Sequence, residues 1–499
     1  MLALATGVVG GCIFLFRESA ATYFYYHPQG RHEYPIGDYL LVFDRSARVM
    51  VKIALLLAVA AATNLVSRVF SFTTKLWGTA TPVRVAVVLA LMVLAGYLVA
   101  LSTTPQINFG PGKEGLGYGH DGVDYGKIAD DFRPFETTVE RPFAFRILPS
   151  LFVFYLGIGT FRGFHLVNAI CYGLSCLVVY RLLRWYKVKY FSAVLGVGLF
   201  ICLKFGLKFW LYYPVLTDGL GTLLLTGVLL CAVSGRHILY LTCMMLAVFC
   251  RENLLGLVPF HILCLFSGSR PRREAFGLAL LNLVPLAAFV LSRSFPFVIP
   301  VGGYSLYRQA LSFATLLALD PKRQVNFFLA HINSLGVLAV VPFLFWKRSL
   351  TFFLRHRCWC YFFFMNLVLS IIGGNDRDRF ALWQAPMLVI LVAGELSCQA
   401  RQVLFAHLLF LQAVWSELFM PWRPDVDFYL SRYAVYPPTR IDSFFMELSC
   451  AVVTLIVAFL YAYYKGSNAS EHRCIRKQLT QPCAALSSLA PKGPDVGPT

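Results

Sequence analysis

Between two apolar segments the chain reads His120-Asp121-Gly122-Val123-Asp124-Tyr125, then Asp130-Asp131, then Arg141-Pro142-Phe143-Ala144-Phe145-Arg146-Ile147-Leu148-Pro149. These residues belong to a hydrophilic insertion running from about Thr103 to Pro149. The chain around it is 58% hydrophobic and only 14% charged. A soluble domain holds about 45–50% apolar and about 25% charged residues, so the composition reads as an integral membrane protein. The insertion then reads as a loop between membrane passes. Pro105, Pro111 and the glycines around them exclude a regular element at its start. From Asp121 to Asp131, Asp121, Asp124 and Ile128 recur at helical spacing, which predicts a short helix with both carboxylates on one face. Loops longer than about 12–15 residues are usually functional or disordered, and this one is too aromatic for a disordered linker.

Working outward, apolar runs lie at 2–16, 50–66 and 83–103 before the loop. After it come a half-helix at 150–161, interrupted by Gly159, Arg162 and Gly163, and a full span at 164–183. Further runs lie at 190–207, 214–234, 237–250, 253–268, 275–298, 324–346, 359–373, 382–398, 402–420 and 446–464. The expected fold is all-α and polytopic, with about 12 to 14 passes, several of them shorter than the roughly 20 residues of a straight span. The run at 2–16 lacks a basic start and reads as a short membrane helix rather than a signal peptide. Arg17–Arg48 is a tyrosine-rich loop suited to the membrane interface. Residues 1–464 form the expected multi-pass domain, with the central loop at 103–149, and 465–499 a polar cytoplasmic tail. On that side the Asn468-Ala469-Ser470 sequon would stay unglycosylated.

The net charge of +19 is distributed in short clusters between apolar runs. They are Arg68/Lys75/Arg84, Arg181/Arg184/Lys187/Lys189, Arg270/Arg272/Arg273, Lys347/Arg348/Arg355/Arg357 and Arg473/Arg476/Lys477. That is the positive-inside pattern, not a nucleic-acid surface. Counting spans puts every cluster on one side and places the central loop, Tyr212–Asp218, Arg251-Glu252-Asn253 and Gly373–Phe380 together on the other. The fourteen cysteines are scattered through apolar runs like small hydrophobes. Cys358-Trp359-Cys360, with only His356 nearby, lacks the ligands of a zinc site.

Charges at membrane edges tend to be paired or functional. Asp121 and Asp124 are either solvated loop acids or a general base or metal ligand, with His120 and Tyr125 adjoining. Arg146 either snorkels to headgroups or contacts a phosphate. Arg251 and Glu252 either neutralise each other in a hairpin or serve a site. Asp218 is a candidate N-cap of its helix, compatible with a site role. In Gly373-Gly374-Asn375-Asp376-Arg377-Asp378-Arg379, four alternating charges exceed what a connector needs, and Arg377 and Arg379 are candidate anion ligands alongside Asp376. Lys204 and Lys208 either snorkel or attract a lipid phosphate. His165, His261, His331 and His407 read as core or interface filling.

Gly119-His120-Asp121-Gly122 through Tyr125 to Ile128-Ala129, followed by Arg146-Ile147-Leu148-Pro149, resembles the first large extracytoplasmic loop of GT-C superfamily glycosyltransferases, most closely their bacterial mannosyltransferase-like and uncharacterised membrane branches. Pro214–Asp218, Arg251-Glu252 and the Gly373–Phe380 loop are similar to downstream elements of such proteins. The resemblance spans roughly 85–395. It implies a transferase using a polyprenyl-phosphate-linked sugar donor, embedded among membrane lipids of a bacterial inner membrane, and facing the periplasm or exterior. The implied acceptor is a glycan, lipid or protein hydroxyl. The loop acid would be Asp121 first and Asp124 second, and Arg146, Arg251, Arg377 and Arg379 would meet the lipid phosphate. No cofactor is certain; a divalent cation is possible. A lipid-linked-glycan transporter or flippase is the alternative. Two spans precede the one that leads into the loop, where the family usually has one, and no large soluble C-terminal domain is expected.

Overall fold

The structure, a computed structural model, describes residues 82–109, 117–267, 271–303, 306–319, 321–372, 377–396, 402–419, 421–424, 426 and 429. The runs expected at 2–16, 50–66 and 446–464, the loop at 17–48 and the tail with its sequon lie outside these residues.

The described chain is mostly helical, opening with α1 (Pro82–Thr103). Proline is tolerated at a helix's first position because its missing N–H would have no partner there. Val85, Leu89, Gly96 and Ala100 form the buried stripe of α1, while Val87, Leu91, Leu94 and Leu98 are exposed. At Gly96 the neighbouring helix comes so near that a Cβ would lie 2.7 Å from Ile201 Cγ2.

The central loop then folds as α2 (His120–Asp130), β1 (Thr138–Glu140) and a 3-10 turn at Phe143–Phe145. The helix expected from the Asp121–Asp131 spacing is α2. The half-helix is α3 (Leu148–Leu156), terminated by Gly157 and Gly159 at φ 64° and 86°, values that favour glycine. α4 (Thr160–Trp185) begins at once, so Arg162 and Gly163, expected within the break, lie inside a helix.

Next come α5 (Tyr190–Ile201), a π-helical turn (Lys204–Lys208) and α6 (Phe209–Tyr212), bent by 43° where one continuous span was expected. α7 (Asp218–Ser234), α8 (His237–Cys250), a 3-10 turn (Glu252–Gly256), α9 (Leu257–Ser267), α10 (Arg272–Leu280) and α11 (Leu283–Ser294) follow. After β2 (Ile299–Val301) come α12 (Leu306–Leu319), α13 (Pro321–Leu335), α14 (Val337–Leu344), α15 (Trp346–Arg355), α16 (Arg357–Ile372), α17 (Arg377–Leu382), α18 (Ala385–Glu395) and α19 (Gln402–Trp415). The run at 324–346 breaks at Gly336, whose φ is 55°. α12 occupies a segment where the sequence offered no span.

By length and composition, α1, α4 and the α10–α11 stretch are long and apolar enough to cross a membrane, and the bent α5–α6 pair makes a fourth if it acts as one span. Other apolar helices, such as α7, α8 and α16, are shorter. α18 is buried around almost its whole circumference and packs on α5 and α14, as an all-apolar helix must.

Beside the main core, Ile128, Val139, Ala144, Ile147 and Val298 form a second, small one. Its strands pair in parallel, Thr138 against Ile299 and Glu140 against Val301. That pairing ties the loop to the segment after α11 and fixes α2 over the helix ends described next.

Candidate active site

The candidate site is built where α2, the start of α7, the α8–α9 turn and α17 converge. Asp218 is the first residue of α7. It is not the N-cap expected from sequence: Thr217 holds that position, without a side-chain capping bond. The Asp218 carboxylate instead bridges two guanidiniums. Arg251 Nη1 donates to Oδ1 at 2.5 Å and Arg379 Nη1 to Oδ2 at 2.8 Å. The segment before it is held by Asn168 of α4, whose amide donates to the carbonyls of Pro214 (3.0 Å) and Trp210 (3.3 Å).

Arg251 ends α8 in an extended conformation and is 2% exposed. Its guanidinium lies 5.2 Å from the Phe380 ring centre and 5.3 Å from that of Trp383. These rings supply a negative π face where water is excluded. Its Nε is buried with no hydrogen-bond partner. Of the two readings of Arg251 and Glu252, the self-neutralising pair is not the one found, because each side chain takes a different partner. Glu252 takes Arg146 in a two-pronged pair, Nε to Oε2 at 2.9 Å and Nη2 to Oε1 at 2.7 Å, the geometry that suits a planar guanidinium. Arg146 is therefore a buried ion-pair partner and does not snorkel. Burial works against its charge, but Glu252 outweighs burial and raises its pKa further above the arginine range. The buried Tyr125 phenol adjoins the same guanidinium, and burial pushes its pKa up to about 12.

The two loop carboxylates part company. Asp121, with a side chain 33% exposed, points its Oδ2 to Arg379 Nη2 at 3.4 Å. Asp124 is turned the other way: its Oδ1 accepts the backbone N–H of Glu140 at 3.2 Å and lies 3.5 Å from Lys127 Nζ. It anchors β1. Three residues leave the two positions about 60° apart around α2, near enough to share a face, yet the side chains take different partners, Asp121 the Arg379 guanidinium and Asp124 the strand. His120 is exposed, at φ 37°, with its ring edge-on to Phe109 at 5.4 Å and stacked with Tyr429 at 6.1 Å. Arg377 and Arg379 are both buried on α17, whereas Asp376 lies outside the described residues.

Sequence reasoning passed over Tyr213, which fastens α2. Its hydroxyl donates to the Gly119 carbonyl and accepts the Gly122 N–H. It singled out Lys204 and Lys208 but not the second buried network that they join below α17. Lys204 Nζ lies 2.8 Å from Asn333 Oδ1 and 3.5 Å from Glu417 Oε1. Asn333 donates to Asp378 Oδ1 at 3.0 Å, and Lys208 Nζ to the Glu417 carbonyl at 2.5 Å. Lys204 and Lys208 are thus interior groups and neither snorkel nor meet headgroups. Glu417, an acid inside an apolar run, was the available signal.

Of the lone histidines, His165 lies 3.2 Å from Gln106, His261 stacks on Tyr240 and His331 bonds the Phe327 carbonyl. These are packing roles; the His407 side chain is not among those described. Among the described residues, no three His, Cys, Asp or Glu side chains are grouped to hold a metal ion.

The site thus comprises one partly exposed carboxylate, Asp121, facing a buried lattice of guanidiniums and acids. No family model, no curated protein and no solved structure matches this chain.

Proposed function

We propose that the chain is a polytopic membrane glycosyltransferase of GT-C type. On this reading it moves a sugar from a polyprenyl-phosphate-linked donor to a hydroxyl of a glycan, lipid or protein acceptor at the outer face. The observation that carries the reading is Asp121: a loop carboxylate one-third exposed, aimed by a buried guanidinium, at the ends of apolar helices. In the proposed step the acceptor oxygen attacks the anomeric carbon. Its proton passes to Asp121, and the sugar–phosphate C–O bond breaks with its electron pair leaving on the phosphate. Arg379, whose Nη2 lies 3.4 Å from the Asp121 carboxylate, is the candidate for that phosphate. The exposed apolar faces of helices such as α1 suit the polyprenyl chain.

The test is transfer by the purified protein from polyprenyl-phosphate sugars to a hydroxyl acceptor. Asp121→Asn, nearly isosteric, should abolish turnover and leave folding intact; full turnover in that variant would sink the assignment.

A specific observation favours a second reading, a transporter or flippase for a lipid-linked glycan. Lys204, Lys208, Glu417, Asp378 and Asn333 are buried at a broken helix, the arrangement transporters use at their binding sites. Flux of a lipid-linked glycan across vesicles without any transfer would select it.

A further inference from the structure

α15 (Trp346–Arg355) and the first residue of α16 carry Lys347, Arg348, Arg355 and Arg357 and no acid. No residue of α15 is fully buried. Its inner side is held by Phe353 against Phe363 (5.6 Å), Phe352 beside Tyr186 (6.2 Å) and Arg348 paired with Glu395. Its outer side has two ridges. Trp346, Leu350 and Leu354 recur every four residues and are 58%, 49% and 70% exposed. Lys347, Thr351 and Arg355 form the adjoining ridge, also exposed, and Arg357 continues the basic edge.

An exposed apolar ridge is costly in water, and a basic one is costly in hydrocarbon. Side by side they fit the boundary between the two. The ridge is about 12 Å long and one side chain wide, far short of the roughly 800 Å² per partner of a stable protein interface. Its charge is uniformly positive, so the outward complement is an anion.

We propose that this ridge is a binding site for an anionic phospholipid, whose acyl chain lies along Trp346, Leu350 and Leu354 while its phosphate meets Lys347, Arg355 and Arg357. The inference rests on the membrane part of the reading above but not on the transferase chemistry. It makes α15 an interfacial anchor on the basic side of the protein, remote in role from Asp121.

The test uses the full chain in phosphatidylcholine vesicles containing brominated phosphatidylglycerol or brominated phosphatidylcholine. Subtracting the Trp346→Phe signal isolates Trp346, and Trp185→Phe isolates a second exposed tryptophan at the end of α4 as a control. The expected result is stronger quenching of Trp346 by the brominated phosphatidylglycerol. The preference should fall about fivefold for each of Lys347→Gln, Arg355→Gln and Arg357→Gln, and should shrink in about 0.5 M salt, a readout that needs no variant. Equal quenching by both lipids would overturn charge recognition, and quenching of Trp185 without Trp346 would overturn the interfacial placement. If neither tryptophan is quenched, the membrane reading itself falls, and this inference with it.

Discussion

Asp218, Arg251, Arg379 and Asp121 form a chain of four charges that cancel, three of them buried. Asp218→Asn keeps the shape and removes the carboxylate that two guanidiniums share. Removing one partner of a buried pair costs about 3–5 kcal/mol because the other charge is left uncompensated. With two guanidiniums depending on Asp218, the upper end applies. Arg379 retains Asp121 at 3.4 Å, so most of the loss falls on Arg251, already buried with an unpartnered Nε. Arg251→Gln alone should cost a similar amount by stranding Asp218 with one cation. The double variant Asp218→Asn/Arg251→Gln restores neutrality, and its cost should fall short of the sum of the singles by about 2–3 kcal/mol, the upper range for residues in contact. The assay is equilibrium unfolding of the purified protein in detergent, followed by tryptophan fluorescence for all four members of the cycle. Singles and double that add within about 0.5 kcal/mol would refute the idea that Asp218 and Arg251 compensate each other in a buried site.

Glu252→Gln should destabilise by about 3–5 kcal/mol, since it strands Arg146, whereas Lys127→Gln, releasing only an exposed cation from Asp124, should stay within about 0.5 kcal/mol; thermal unfolding compares them. Gly122→Ala would bring a Cβ to 2.9 Å from the Tyr213 hydroxyl, so it should cost about 1–3 kcal/mol, and less when Tyr213→Phe has already removed that oxygen. Asp124→Ala should speed hydrogen exchange of the Glu140 amide while leaving the Arg379 cluster in place; unchanged exchange would deny Asp124 its strand-anchoring role. Burial raises the Tyr125 phenol from 10.0 to about 12. The folded state therefore holds that proton more tightly than the unfolded one. Its contribution is complete below pH 10 and is lost, by about 2–3 kcal/mol, as pH rises toward 12. Tyr125→Phe should lack that share of the alkaline loss in stability measured across that window.

Much of the helix content was legible because apolar runs announce themselves locally. The spacing of Asp121, Asp124 and Ile128 located α2, and the run at 237–250 coincides with α8. Where runs were read as single elements, backbone detail intervened: the bend after Ile201 and the left-handed Gly336 divide what composition joins. α12 and α15 escaped because amphipathic helices do not raise average hydropathy. The candidate site was half legible. Asp218, Arg251, Glu252, Arg146, Arg377 and Arg379 stood out as charges in apolar surroundings, and each is buried or nearly so.

Residue type and local spacing determined which groups had to find partners, since an unpaired charge away from water is too costly to persist. Which partner each one found is a matter of distances between segments far apart in the chain. Sequence adjacency offered a pairing of Arg251 with Glu252, placed Asp121 and Asp124 on one helix face and left Lys204 to snorkel or attract a lipid phosphate. The packing of α7 against α8, the pull of β1 on Asp124 and the burial of the α5–α6 bend beside Glu417 decided otherwise. Composition made this an α-helical chain with buried charges; only the tertiary structure left Asp121 partly open, because α2 carries that carboxylate to the edge of the Asp218–Arg251–Arg379 cluster.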